Sequence, residues 1–218
     1  MMSVERRMKH AIAAGLAWMA LTGVAGAQTV SKGYVEGVAQ STFGNVTSQG
    51  YGAEVGFHIG LNVQVFGEVM RVNDTTTASL TSSAKVIAGA LAETQPNVGY
   101  TARQPVTFGA GGVRFLFPTT SRVEPYVLIG AGVAKVEKDV SYTVNGSDVT
   151  SSLAQYGIVL GTDLSGSETK MMLDLGGGVA WPVTDRFVVD FQYRYGRVFL
   201  SDEGLNMNRV GVGIGVRF

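Results

Sequence analysis

Apolar residues alternate with polar residues or glycines along much of this chain. In residues 51–59 every odd position is apolar, whereas the even positions carry Glu54, His58 and two glycines. Successive side chains of a β-strand point to opposite faces, so a period of two predicts a strand with one apolar face. The same alternation returns in residues 210–218. The pattern therefore predicts an all-β chain.

Eight segments show this alternation or are rich in the strand-forming residues Val, Phe and Tyr. Most have the roughly 9 to 11 residues that a tilted strand needs to cross a bilayer. The predicted strands are residues 33–43, 51–59, 63–70, 104–117, 124–137, 170–181, 186–195 and 210–218.

Long and short connections alternate between these predicted strands. The longer ones are residues 42–49, 73–103, 138–169 and 200–207, and the shorter ones are residues 60–62, 118–123 and 182–185. Barrels that cross the bacterial outer membrane have short periplasmic turns and longer outside loops, whereas a soluble sandwich has no reason to place its long loops at one end. The loop pattern therefore predicts an eight-stranded antiparallel up-and-down transmembrane β-barrel, with both termini on the periplasmic side.

Residues 1–27 have the three parts of a secretory signal peptide. Arg6, Arg7 and Lys9 form a positive segment, residues 11–24 are uncharged and mostly apolar, and residues 25–27 read Ala-Gly-Ala, a small-x-small cleavage site. We expect this signal to be removed, so that residues 28–218 form the barrel domain. The mature chain has no apolar run of 18 residues, which argues against a helical membrane protein.

Composition narrows the possible functions. The 218 residues include 17 Lys and Arg, 17 Asp and Glu, and no cysteine. Because there is no basic surplus, no nucleic-acid partner is predicted. Without cysteine the chain forms neither a disulfide nor a thiolate metal site. We predict no catalytic, metal or cofactor site.

The predicted barrel encloses a narrow interior that faces away from the lipid. Eight strands leave just enough room for side chains, and an unpaired charge in that space would be costly. Acidic and basic residues on the inward faces should therefore pair. We predict a structural polar network in the lumen, formed by Glu36, Glu54, His58, Glu68, Arg114, Asp174, Asp190, Gln192, Arg194, Arg209 and Arg217.

Aromatic residues near the strand ends are candidates for girdles at the two membrane surfaces. Those near the short turns are Phe57, Phe115, Phe117, Trp181, Phe187 and Phe218, and those near the other ends are Tyr51, Phe108, Tyr195 and Phe199.

The two longest loops contain further local signals. Residues 73–82, rich in Thr and Ser, predict an extended hairpin or a mobile segment, and residues 83–93 predict a short helix. Residues 142–146 predict a strand that enters a tight turn. Because binding residues concentrate on loops, we expect any extracellular ligand to contact residues 73–103 and 138–169.

Three sequence runs resemble the small outer-membrane β-barrel family of OmpA/OmpX type. They are residues 176–184 (GGGVAWPVT), residues 190–195 (DFQYRY) and the C-terminal strand ending in Phe218. The resemblance implies a barrel in the bacterial outer membrane that contacts lipid and lipopolysaccharide and is folded by the barrel assembly machinery. It also implies a C-terminal assembly signal at Ile214, Val216 and Phe218. Because the sequence stops at Phe218, we expect no peptidoglycan-binding domain.

The leading hypothesis for function is a non-catalytic structural or surface-interaction barrel with a largely filled lumen. A narrow passive porin or an adhesin is the alternative, followed by a lipid A-modifying enzyme. The enzyme would need a general base near its substrate. The only histidine of the mature chain, His58, is predicted at the periplasmic end of its strand, whereas lipid A lies in the opposite leaflet.

Overall fold

The computed structural model describes residues 32–161, 164–200 and 204–218. The elements are, in chain order, β1 (Gly33–Phe43), β2 (Ser48–His58), β3 (Val63–Val72), α1 (Ala78–Ala92), β4 (Val98–Arg103), β5 (Val106–Leu116), β6 (Glu124–Val144), β7 (Ser147–Asp148), a 3₁₀ helix (Thr150–Tyr156), β8 (Gly166–Pro182), β9 (Phe187–Val198) and β10 (Leu205–Arg217). The predicted signal, residues 1–27, lies outside the described residues.

Eight strands of the described chain close into an antiparallel barrel, which confirms the predicted fold class. Around the ring the order is β1, β2, β3, β5, β6, β8, β9 and β10, and β10 pairs with β1. The backbone amides of Gly33 and Phe218 each donate to the other residue's carbonyl, at 2.9 and 3.0 Å. Every strand of the ring therefore has a neighbour on both sides.

The period of two separates an outward from an inward face in each barrel strand. In β10, Ile214 is 64% exposed, whereas Arg209, on the other face, is 1% exposed. The outer wall is thus largely apolar and the interior contains most of the buried charges, the reverse of a soluble protein. Among the described residues, no helix is long and apolar enough to cross a membrane.

The predicted alternation of long and short connections is wrong at its first member. β2 begins at Ser48, so residues 44–47 alone connect β1 to β2, as few as in the turn at residues 59–62. Thr42 pairs with Ser48 in the ladder. Backbone pairing continues through these polar residues, whereas the sequence pattern ends where the apolar residues end. For the same reason β10 begins at Leu205, and the last connection shortens to residues 199–204.

The two longest connections build a separate unit, the loop module. It consists of α1, β4, residues 139–144 of β6, β7 and the 3₁₀ helix, and β4 pairs with residues 139–144 of β6. A hydrophobic core of its own holds the module together. Sequence periodicity does not predict β4, which lies within the predicted connection of residues 73–103.

α1 begins earlier than the predicted helix at residues 83–93. The side chain of Thr77 accepts a hydrogen bond from the amide of Leu80, so Thr77 caps the helix and Ala78 is its first residue. The prediction that residues 73–82 extend a hairpin or are mobile is therefore wrong over residues 78–82.

The predicted strand and tight turn at residues 142–146 are present. Asn145 and Gly146 both have positive φ, 52° and 80°, and connect β6 to β7. Two consecutive positive φ angles define the type I′ turn that Asn-Gly favours in hairpins.

Candidate functional site

The middle of the barrel interior contains seven buried charged residues that are joined by ion pairs, here called the ion cluster. Each is at most 5% exposed. The members come from six strands, so no local segment assembles them, and the closure of the barrel brings them together. They are Glu54, Glu68, Arg114, Asp174, Asp190, Arg194 and Arg209.

Arg194 lies at the centre of the ion cluster. It forms an ion pair with Glu54, and its Nη1 lies 3.2 Å from Oδ2 of Asp174 and 3.6 Å from Oε2 of Glu68. Its Nε donates to Oε1 of Gln192 at 2.7 Å. Three acidic side chains and one amide therefore fix a single guanidinium, which leaves it little freedom to move.

Each of the other two arginines of the ion cluster contacts two carboxylates. Nη2 of Arg114 lies 2.5 Å from Oε1 of Glu54 and 3.3 Å from Oδ2 of Asp190. Arg209 pairs with Asp174, and its Nη2 lies 3.8 Å from Oε1 of Glu68.

Tyrosines and phenylalanines line the ion cluster. The hydroxyl of Tyr34 donates to Glu54 and that of Tyr126 donates to Asp190, at 2.5 and 2.8 Å. The guanidinium of Arg114 lies 3.9 Å from the ring centre of Tyr126, and that of Arg209 lies 4.7 Å from the ring centre of Phe108. Cation–π contacts of this kind are strongest away from water. Phe108 thus faces the interior, 2% exposed, and its prediction as a girdle residue is wrong.

Two residues of the predicted network, Arg217 and His58, lie apart from the ion cluster, and a third, Glu36, lies beside it opposite Glu54. Arg217 makes a bidentate contact with Glu124 at the short-turn end of the barrel. The ring of His58 contacts Nε2 of Gln64, with Nε2 of the ring at 3.0 Å. Glu36 is buried, and its Oε1 has no hydrogen-bond partner within the described residues.

Sequence reasoning missed Glu124, Tyr34 and Tyr126. Tyr34 and Glu36 both occupy even positions of β1, which face inward. Glu124 and Tyr126 occupy even positions of β6, which also face inward. The alternation of faces was therefore the available signal. It was blurred in β6 because apolar residues occupy both faces there.

An apolar layer fills the interior between the ion cluster and the loop end. Its members include inward residues from most of the barrel strands, and all are at most 5% exposed. The layer consists of Val38, Met70, Val72, Val106, Phe108, Ala134, Val136, Met172, Val198, Leu205 and Met207. Alternation alone did not predict it, because the pattern assigns polar character to the whole inward face.

The loop module has a second buried core beyond the barrel end. Leu80, Ala84, Ala88 and Leu91 form one face of α1 and pack with Val140, Tyr142 and Val144 of β6 and with Leu153. The spacing of four, four and three residues places these α1 side chains on one face of the helix. The module is therefore packed like a small soluble domain.

Hydrogen bonds to Asp74 join the start and the end of the first long connection. Oδ1 of Asp74 accepts from the amides of Thr76 and Gln104, at 2.9 and 3.0 Å, where the chain leaves β3 and re-enters β5. After β7, hydrogen bonds from the side chain and backbone of Thr150 hold the pKa of Asp148 below its ordinary value. Val86 and Tyr100 are among the large apolar side chains that the module exposes.

Comparison with known proteins gives the same architecture. The family model described as outer membrane protein beta-barrel domain matches residues 11–218. The structure is similar to Neisserial surface protein A, with 16% identity, a TM-score of 0.52, and coverage of 86% of this chain and 96% of that chain. It is also similar to a major outer membrane protein from Thermus thermophilus, with 12% identity, a TM-score of 0.53, and coverage of 85% and 99%. No curated protein matches the sequence.

Proposed function

Because the chain belongs to the outer membrane protein beta-barrel domain family, and so lies in the bacterial outer membrane, we propose that it is a non-catalytic surface-interaction protein. In this proposal the barrel, whose interior is filled by side chains, holds the protein in the membrane. The loop module presents a rigid surface to an extracellular ligand. The observation that carries the proposal is the buried core of the loop module. A packed core orders the exposed side chains of α1 and β4, and ordering before contact lowers the entropic cost of binding.

Binding by the loop module can be tested on an array of glycans and extracellular matrix proteins, probed with the protein in lipid nanodiscs. We expect a bound component whose signal falls in the double variant Val86→Ser, Tyr100→Ser, because both side chains are exposed on the module. Ser121→Ala, in the turn at the opposite end, is the matched control. An array signal unchanged by the double variant, or no signal at all, would contradict the proposed role.

The orientation is tested by cysteine labelling of intact cells. Single cysteines at Ser82 in α1 and Ser152 in the 3₁₀ helix should react with a membrane-impermeant reagent, since both belong to the loop module. A cysteine at Thr120, in the turn between β5 and β6, should react only after permeabilisation. Equal labelling of all three would refute this orientation.

The ion cluster is proposed to be structural, as part of a plug with the apolar layer. Hydrogen-bonded charges and close-packed apolar side chains on the same axis support a barrel that conducts no ions. In a planar bilayer we therefore expect no discrete current steps. Steps that disappear when an apolar-layer residue is enlarged, as in Ala134→Leu, would instead favour the passive porin.

The absence of catalysis is also part of the proposal. His58 lies at the end of β2 opposite to the loop module and contacts Gln64, which supports a hydrogen-bonding role. Lipid A from cells with the wild-type protein, with His58→Gln and without the protein should have the same acylation pattern by mass spectrometry. A pattern that requires the protein and reverts in the variant would favour the lipid A-modifying enzyme.

Assembly through the C-terminal strand is a further element of the proposal. Ile214, Val216 and Phe218 all face outward and are exposed, so the barrel assembly machinery can contact them without disturbing the interior. Phe218→Ala should lower the amount of folded protein in the outer membrane. Phe191→Ala, outward on β9, is the control and should have a smaller effect.

A further inference from the structure

The outer wall of the barrel is uneven. On β8, β9 and β10 it carries large apolar side chains such as Leu173, Phe191 and Ile214, all exposed. On β2, β3, β5 and β6, Gly or Ala occupies five outward positions near the middle of the barrel, and a groove of about 620 Å³ lies over them. They are Ala53, Gly67, Gly109, Gly111 and Ala131. The outer wall therefore has a recess over these small residues, although large side chains such as Phe57 and Ile129 are exposed on the same strands.

The strand register explains the groove. Gly67 of β3 pairs with Gly111 of β5, and Gly111 pairs with Ala131 of β6, so three neighbouring strands have almost no side chain at one level. One step nearer the loop end, Gly109 lies between Val69 and Val133, which form walls of the groove.

Local packing does not require glycine at positions 67 and 109 of the groove floor, whereas a Cβ at Gly111 would lie 3.3 Å from the carbonyl oxygen of Phe66, a tight contact. A Cβ added to Gly67 would lie 3.9 Å from its nearest neighbour, and one added to Gly109 would lie 3.7 Å away, both ordinary contact distances. By contrast, a Cβ at Gly112, which is on β5 like Gly109, would lie 2.1 Å from the carbonyl oxygen of Ile129. Gly112 is thus explained by the sheet itself, whereas Gly67 and Gly109 are not. Their effect is to keep space open outside the barrel.

Two basic residues lie directly beyond the groove, toward the loop end. Arg71 follows the wall residue Val69 by one outward position on β3, and Lys135 follows Val133 in the same way on β6. Both pair with Thr107, and Nη1 of Arg71 donates to Oγ1 of Thr107 at 3.2 Å. Strands are about 4.8 Å apart, so the two side chains can reach one anionic group. Lys135 also contacts Glu137 at 2.6 Å, but its side chain is 51% exposed and keeps donors for a second partner.

We propose that this face binds lipid A in the outer leaflet, with an acyl chain in the groove and a phosphate against Arg71 and Lys135. An apolar groove at membrane depth that ends in a pair of cations matches an amphiphile with a phosphorylated headgroup. The two cations lie on the side of the groove nearer the loop module, which is the lipopolysaccharide side of the membrane in the proposed orientation. The site goes beyond the surface-interaction role, because it uses none of the loop module.

Native mass spectrometry of the refolded full chain tests the site with three probes: bisphosphorylated lipid A, its dephosphorylated form and phosphatidylglycerol. We expect the wild type to retain one bisphosphorylated lipid A. The variant Gly67→Leu, Gly109→Leu fills the groove and should retain about tenfold less. The variant Arg71→Gln, Lys135→Gln should lose bisphosphorylated lipid A to a similar degree while binding the dephosphorylated form as the wild type does.

Two controls separate the site from folding and from general charge. The double variant Val210→Leu, Val212→Leu adds bulk at two exposed outward positions of β10 that do not line the groove. Arg186→Gln removes a cation at the opposite end of the barrel. Both should retain lipid A as the wild type does, and heat-dependent gel migration reports folding of every variant.

The other occupants of the groove give distinct results. Equal retention of phosphatidylglycerol and lipid A by the wild type would assign the groove to phospholipid and overturn the proposal. A dimer lost in Gly67→Leu, Gly109→Leu would assign it to a second copy of the chain. Failure of the wild type to retain lipid A, or equal retention by all variants, would also overturn it. None of these outcomes depends on whether the loop module binds an extracellular ligand.

Discussion

The barrel interior and the core of the loop module are built from different residues, although they belong to one chain. The middle of the barrel interior contains three arginines and four carboxylates next to the apolar layer, whereas the module core consists of Leu, Ala, Val and Tyr side chains. The apolar side chains of the barrel's outer wall contact lipid instead of water. They need not be buried in the interior, which can therefore contain charged residues. The module stands in water and must bury its apolar residues. The location of the core therefore follows from the solvent outside.

The largest effect should come from breaking the ion cluster at its centre. Arg194→Ala removes the shared partner of Glu54, Glu68 and Asp174 and should cost about 3 to 5 kcal/mol, because it leaves buried charge uncompensated. Urea titration of refolding into lipid vesicles measures the loss. Arg217→Ala, at the partly exposed mouth, is the control and should cost far less. Equal costs would mean that burial of the cluster does not govern barrel stability.

Breaking the module core should have a large but local effect. Leu91 is completely buried, so Leu91→Ala should lower the stability of the loop module by about 2 to 5 kcal/mol. Hydrogen exchange should then accelerate in α1 and β4 while the amides of the barrel strands keep their protection. Val86→Ala, on the exposed side of α1, should change neither. Faster exchange in the barrel strands after Leu91→Ala would show that the two cores are one cooperative unit.

The contrast between outer wall and interior is sharpened by two substitutions in β9. Val189→Arg places a charge on the lipid face and should cost about 2 to 4 kcal/mol. Gln192→Ala removes the acceptor for Nε of Arg194 and should cost about 1 kcal/mol. The same urea titration compares them. A Gln192 variant as damaging as the Val189 variant would invert the assignment of the two faces.

The smallest expected effect tests the start of α1. Thr77→Ala removes the side chain that accepts from the amide of Leu80 and should cost the module about 1 kcal/mol. Hydrogen exchange at the first turn of α1 measures it. Thr77→Ser keeps the acceptor and should restore protection, whereas equal exchange in both variants would show that the cap contributes nothing.

The sequence was sufficient for the barrel because a single period governs it. Alternation assigns Gly37 and Ile214 to the outward face, and the structure pairs them there. The same pattern failed where apolar residues occupy both faces of a strand: in β5, Phe108 carries no mark that separates an interior side chain from a lipid-facing one. It also failed at strand ends such as Ser48, where backbone hydrogen bonds continue without apolar side chains.

The ion cluster and the module were predictable to different degrees. Parity places Glu54, Arg114 and Arg194 inside the barrel, but the pairs that they form depend on the stagger of strands far apart in the chain. Arg217 contacts Glu124 across 93 positions, and no local pattern connects them. In the module, the Asn-Gly turn was predictable from two residues, whereas β4 depends on packing against α1.

The pairing of β1 with β10 has a consequence for the order of folding. Because the two strands are at opposite ends of the described chain, the ring cannot close until β10 is available. Until then the growing sheet has two open edges, at which unpaired amides and carbonyls invite pairing with other chains. Closure of such a long-range contact is slow. The protein is therefore most prone to aggregate in the interval between export and ring closure, when a chaperone that shields β1 would protect it.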